Sequence, residues 1–454
     1  FTAAGGIQTA GEVTTSNDDV TYNSAVTLTG AVAIDTSTGS GTITFNSTVD
    51  GSENLQLTAG TGNIDFNASV GQTTRLDQLR IVSVTNATFD QAVSAESILQ
   101  DAGSGTTTFT GMINTNTAPG TNLTGTTLVL NGGVTSTTSG VLTATMTNTI
   151  TVGPSTTSSV NGAVTLNAIN GITMQTSAVL SSAAAVLFKT TSNSITLQSA
   201  AQLSSTGANV VLEAEDSISL AANSVVSASV ADLILRSGLD STDGTGSMTL
   251  DGTLQAPAVG KTVTLDLNDE QGATQNTTTG RILAPNLRLL SNSTNSASFS
   301  LLAGTRNDVD VIAASTSGFV RYSDLDDLTI GSVAASSGIA ALAGITTVNS
   351  VTEGAAVAIT ANGSLTANQP IRTSPSAAAG SLVVGTVDLQ STTSLISITD
   401  NADIFADGAV SFTAAGGIQT AGEVTTSNDD VTYNSAVTLS GAVAIDTSTG
   451  SGTI

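Results

Sequence analysis

The groups in this chain that could do acid–base or metal chemistry are carboxylates, and they come in short clusters. They are Asn17-Asp18-Asp19, repeated as Asn428-Asp429-Asp430; Asp240 with Asp243; Asp266-Leu267-Asn268-Asp269-Glu270; and Asp324-Leu325-Asp326-Asp327. The last follows Arg321-Tyr322 and comes nearest to a mixed acid–base patch. Paired carboxylates are what glycoside cleavage needs. With no His in the chain, general acid–base work at neutral pH would need a carboxyl with a perturbed pKa. Zero Cys removes thiolate nucleophiles, disulfides and thiolate metal sites. Calcium is the sharper use of these residues, with Asp18, Asp19, Asp429 and Asp430 as candidate ligands, because an ion there would recur with the duplication. The EF-hand spacing and the glycine-rich nonapeptide of calcium-binding β-rolls are both absent. Asp and Asn also favour turns, so solvated turns between strands are the plain reading of every cluster. No catalytic or cofactor residue is assigned, and the chain is expected not to be an enzyme.

The elements that would position these clusters repeat on two scales. The first 43 residues return as the last 43, beginning at Phe1 and again at Phe412, and differ only at Thr29 against Ser440. The offset of 411 residues marks a super-repeat, which points to an array, and arrays more often build structure than do catalysis. Residues 1–411 are read as one super-repeat and 412–454 as the start of the next, with no true boundary, within a window cut from something longer.

Inside the long period lies a short one. The aromatics Phe1, Tyr22, Phe45, Phe66, Phe89 and Phe109 recur at nearly even spacing. Most sit in an apolar–polar–apolar frame, such as Ile43-Thr44-Phe45 and Ile64-Asp65-Phe66, which is the period of a strand. Aliphatic frames then carry the ladder on, through Leu128-Val129-Leu130 and Ile150-Thr151-Val152 to Val164-Thr165-Leu166, Val186-Leu187-Phe188, Val210-Val211-Leu212 and Leu233-Ile234-Leu235. A second track holds Ile172-Thr173-Met174, Ile195-Thr196-Leu197 and Ile218-Ser219-Leu220, and a third patch includes Val32-Ala33-Ile34 and Leu55-Gln56-Leu57. No sustained helical period occurs, and β-branched residues dominate the apolar positions.

These patterns predict an all-β fold, a right-handed parallel β-helix (β-solenoid) of about 18 coils of roughly 20–24 residues per super-repeat. No coil can bury its own inward side chains, so stacked coils pair each strand with its equivalents above and below. The usual hand of parallel crossovers favours the right-handed coil. At about 4.8 Å per strand, one super-repeat would span roughly 85 Å. The Asn after each ring (Asn23, Asn46, Asn67) is expected to turn a corner in left-handed geometry. Three stretches are expected to project: Leu220 to Leu250 around Gly238 to Asp243, Ile359 to Val384, and Met112 to Thr127 with Pro119-Gly120.

Composition narrows the partners. Charged residues are 10% against about 25% in ordinary domains, yet hydrophobics reach 39%, which is not the signature of disorder. A net charge of −25 with only two lysines, Lys189 and Lys261, argues against nucleic acid and against an anionic membrane surface. No apolar run approaches the ~18–20 residues of a membrane span.

The phrases GSGTITFNSTVDG (Gly39 to Gly51) and AGTGNIDFNASVG (Ala59 to Gly71), with NDDVTYNSAVTLTGAVAIDTSTG (Asn17 to Gly39), resemble the repetitive shafts of giant filamentous-haemagglutinin-like bacterial surface proteins. The resemblance is strongest from Phe1 to about Thr110. It implies a secreted β-helical shaft at the cell surface or outside the cell. The function expected from it is a structural segment of an extracellular fibre, stalk or sheath. The alternative is the shaft of an adhesin whose binding tip lies elsewhere in the chain. The partners expected are neighbouring repeats of the same chain, parallel copies in a bundle, and surface polysaccharide, with no nucleic acid and no membrane insertion. No cofactor is expected other than calcium at the four aspartates above.

Overall fold

The computed structural model describes residues 1–239, 246–268, 272–291, 297–347, 356–373 and 385–454. Among them there is no helix; parallel strands stack as a β-solenoid of about 18 turns with a repeat near 23 residues. The chain divides into two compact units, Phe1–Ala208 and Asn209–Ile454.

In the first unit each coil carries three strand tracks. The ring track runs through Val20–Tyr22, Ile43–Phe45, Ile64–Phe66, Ala87–Phe89, Thr106–Phe109, Thr127–Leu130, Ile150–Val152, Ile172–Met174 and Ile195–Leu197, each paired in parallel with the next. The first and third residues of such a triplet are buried and the middle one, often Thr, is half-exposed. That is the alternation read from the sequence: β-branched and aromatic side chains fill the interior while hydroxyls face out. The second track stacks Val26 on Val49, Val70, Val93, Ile113 and Val134 in turn. The third stacks Val32 on Leu55, then Leu79, Ile98, Thr121, Leu142, Val164 and Val186.

This pairing corrects the expected ladder. Beyond Val152 the ring track passes to Met174 and not to Leu166. Val164-Thr165-Leu166 belongs to the track of Val32-Ala33-Ile34. The supposed second track is the continuation of the first. The aliphatic triplets have the same local pattern, so only their stacking partners tell them apart. The stretch Met112 to Thr127 is also corrected. It contains the strands Ile113–Thr115 and Thr121–Gly125, and Pro119-Gly120 forms the turn between them, with Gly120 at φ 57.

The second unit keeps the ring track but spaces it less evenly. Its rungs are Ile218–Leu220, Met248–Leu250, Ala273–Thr274, Phe299–Leu301, Val320–Asp324, Val357–Ala361, Val387–Ser391, Val410–Ala414 and Val431–Tyr433. Leu220 pairs with Leu250, as the first long step expects. Ile359 pairs with Leu389; Val384, the partner expected from the sequence, lies outside the described residues. The sequence did not reveal the segment between Val320 and Val357, which contains an antiparallel hairpin of Ser332–Val333 with Leu342–Ala343. This hairpin folds back over the outer face of the strands beneath it. The in-register residues Ile234, Thr264, Arg288 and Ala313 point away from the coil interior, yet each is no more than 2% exposed. Arg288 donates from Nη2 to Ala334 O. Ser337 Oγ accepts from Asn209 Nδ2 at 2.9 Å and donates to Asp232 Oδ2 at 2.5 Å.

Candidate functional site

The acidic clusters resolve into three kinds of place. Asn17-Asp18-Asp19 is a corner. Asn17 lies in the left-handed region at φ 69, and its side chain fills the space that a Cβ on Gly39 would need. Thr15 Oγ1 donates to Asp18 O at 2.6 Å, and Asp19 Oδ1 accepts from the amide of Thr42, one coil on, at 2.8 Å. The second copy repeats each contact. Asn428 has φ 70, Thr426 Oγ1 donates to Asp429 O at 2.5 Å, and Asp430 Oδ1 accepts from the Thr453 amide at 2.7 Å. The Thr453 hydroxyl and amide hold the Asp430 carboxyl below its usual range, while partial burial and the neighbouring Asp430 push Asp429 up. Among the described residues no group of three or more Asp, Glu, His or Cys is gathered to hold a metal ion. One carboxylate of each copy ties adjacent coils together, which satisfies a backbone donor that would otherwise be orphaned.

Asp266 joins a charge ladder on one face. In register with Arg236 and Glu213, it sits 3.4 Å from Arg236 Nε, while Arg236 Nη1 lies 2.9 Å from Glu213 Oε1. Burial raises the Asp266 pKa despite the opposing pull of Arg236. Asp269, Glu270, Asp240 and Asp243 lie outside the described residues.

Around Asp324 the mixed patch does not assemble. Strand alternation sends Arg321 outward, where its guanidinium lies 4.6 Å from the Phe319 ring centroid, and sends Tyr322 inward. The buried Tyr322 hydroxyl donates to Asp324 Oδ2 at 2.6 Å. The amides of Val309 and Asp326 donate to the same carboxyl at 3.1 and 3.2 Å. Burial is the dominant influence and lifts Asp324 to about 7, against these donors; burial, with the adjacent Asp324, also pushes Tyr322 well up. Asp324 borders an open trough of about 420 Å³ with Leu302, Thr305, Ser323, Thr360 and Asn362. Its oxygens already accept three donors, so it is held as part of the wall.

The most regular arrangement is a pair of ladders. The rings of Phe1, Tyr22, Phe45, Phe66, Phe89 and Phe109 stack with centroids 4.4–5.1 Å apart and planes within 18°. Beside them Asn46 Nδ2 donates to Asn23 Oδ1 at 2.8 Å, and Asn67 Nδ2 to Asn46 Oδ1 at 2.7 Å. These asparagines have ordinary negative φ, since none is among the positive-φ residues. The expectation of left-handed corners at Asn23, Asn46 and Asn67 is therefore corrected: they form an amide ladder, each side chain donating to the one a coil earlier. The signal was present in the recurring ring–Asn dipeptide, but a turn and a ladder favour the same residue. In the second copy Phe412 stacks on Tyr433 at 4.9 Å.

A scan of protein-family models, a search of curated proteins and a search of solved structures each return no match to this chain.

Proposed function

We propose that this chain is a length of structural shaft in a giant repetitive fibre-forming protein, carried outside the cell or at its surface. One observation carries the reading: the 43 residues that recur make the same inter-coil contacts in both copies. Asn23 N bonds Phe1 O at 2.8 Å, and Asn434 N bonds Phe412 O at 2.9 Å. The Asp19–Thr42 contact returns as Asp430–Thr453. A segment whose recurring work is to hold one coil on the next is suited to extension, and its residues form rungs instead of a site. The phrases shared with filamentous-haemagglutinin-like shafts support the same reading. On it the chain is not an enzyme, and its partners are its own neighbouring repeats, parallel copies in a bundle, and surface polysaccharide.

Electron microscopy of the native material separates this role from the alternative of an adhesin shaft. Laterally bundled or continuous fibres, decorated at regular intervals by an antibody against residues 1–43, are the expected result. Dispersed single rods anchored to cells, each with a distinct tip, would replace the fibre reading by the adhesin one.

A further inference from the structure

This chain has ten cationic side chains against 35 acidic ones, and nearly every arginine is visibly engaged. Arg80 meets Asp101 at 2.7 Å, and Arg236 meets Glu213 and Asp266. Arg75 donates to Ala95 O and to Asn114. Arg288 is covered by the hairpin, and Arg321 and Arg372 lie over Phe319 and Phe405. Arg281 and Arg306 lie together: both line one recess of about 240 Å³ with Thr305 and Leu325, and among the described residues neither has a carboxylate partner there.

Arg281 opens the strand Arg281–Ser291, whose Leu283 pairs with Asp308 on the next coil, and Arg306 lies in the turn that leads into that neighbouring strand. Arg306 Nε donates to Gly280 O at 3.2 Å; among the described residues its two terminal nitrogens have no hydrogen-bond partner. Among the described residues Arg281 Nε is buried with no hydrogen-bond partner, and so is the hydroxyl of Thr279, two residues away. The nearby Asp308 and Asp310 line a separate recess with Pro257, Leu283, Ala284 and Pro285. Two guanidiniums lining one recess repel each other, and a buried donor without an acceptor costs more still. One small oxyanion between the guanidiniums removes both costs, because each planar fork can donate two parallel hydrogen bonds.

We propose that the Arg281–Arg306 recess binds a small oxyanion: a carboxylate group, or a phosphate or sulfate group. Labelling the protein with ¹⁵N-arginine yields one Nε–H resonance for each of eight arginines. Sodium sulfate and sodium acetate are titrated in separately, with ionic strength held constant by sodium chloride. The Arg281 and Arg306 resonances shift saturably while the other six stay in place. The stronger response identifies the source, sulfate for a tetrahedral group and acetate for a carboxylate. Arg306→Gln weakens the Arg281 response about tenfold or more, the loss of a charge-assisted pair of hydrogen bonds. Arg281→Lys, which keeps the charge but not the fork, does the same to the Arg306 response. The proposal is overturned if all eight resonances drift together without saturating, if none moves in either salt, or if a folded variant responds as the original chain does.

Discussion

At the scale of the residue, the interior is held by like stacked on like. Phe66 is 1% exposed and stacks at 4.8 Å on Phe45 and 4.9 Å on Phe89. Phe66→Leu keeps an apolar rung, whereas Phe66→Asp buries an unpaired charge between two rings. Thermal unfolding and amide exchange at Ile64 and Ala87 should show a mild loss for Leu. For Asp the loss should exceed the roughly 3–5 kcal/mol of a simple Phe truncation. Equal behaviour of the two variants would place that ring outside the core. Asp324 gives a pH signature. Its folded value of about 7 lies above the ~3.9 of an unfolded Asp. Between those values the native state holds the extra proton, so this group's contribution to stability falls as pH rises from about 4 to about 7 and is level beyond. Urea midpoints at pH 5 and pH 7.5 should therefore differ less in Asp324→Asn than in the unaltered chain. An unchanged difference would mean that Asp324 titrates normally.

At the scale of the element, burial belongs to the stack and not to the strand. Residues 26–28 and 437–439 share the sequence Val-Thr-Leu. Val26 and Leu28, with a coil stacked on them, are 2% and 4% exposed, whereas Val437 and Leu439 are 43% and 66% exposed. Appending residues 44–71 after Ile454 would supply the missing neighbour, because Val49 stacks on Val26 in the first copy. Amide exchange at 437–439 should then slow by about tenfold or more, as a frayed edge becomes an interior strand. No slowing would mean that the two copies do not stack alike. The aromatic rungs were legible in the sequence because a ring that returns once per coil has few competitors. Aliphatic rungs were not. Ile150-Thr151-Val152 and Val164-Thr165-Leu166 present the same alternation, and nothing local says that one stacks on Leu128 and the other on Leu142. The hairpin of Ser332–Val333 and Leu342–Ala343 escaped notice for a related reason. Its small apolar residues match the composition of the coils it leaves.

At the scale of the whole molecule, charge sets the conditions of stability. A net charge of −25 with 35 acidic and 10 basic residues loads the folded chain with self-repulsion. Since the Debye length shrinks from about 30 Å at 0.01 M salt to about 8 Å at 0.15 M, the melting temperature should climb over that range of sodium chloride. A flat or falling profile would show that local pairs such as Arg80–Asp101 outweigh the long-range repulsion. Of the candidate site residues, Asp18, Asp19, Asp429 and Asp430 were legible as turn-forming carboxylates. The recess of Arg281 and Arg306 was not, since the two arginines lie a full coil apart and share no motif.

The amino-acid sequence by itself determined the strand character, the coil length, the ring ladder and the return of Phe1 at Phe412. Each of these rests on alternation and spacing along the chain, and period-two patterning acts through neighbours only a few residues away. The tertiary structure alone decided which aliphatic triplets share a track and that Arg281 and Arg306 line one recess. These outcomes depend on what a coil finds on the coils beside it. In a parallel stack those neighbours arrive from a full turn away, so small differences in turn length choose among triplets that look alike.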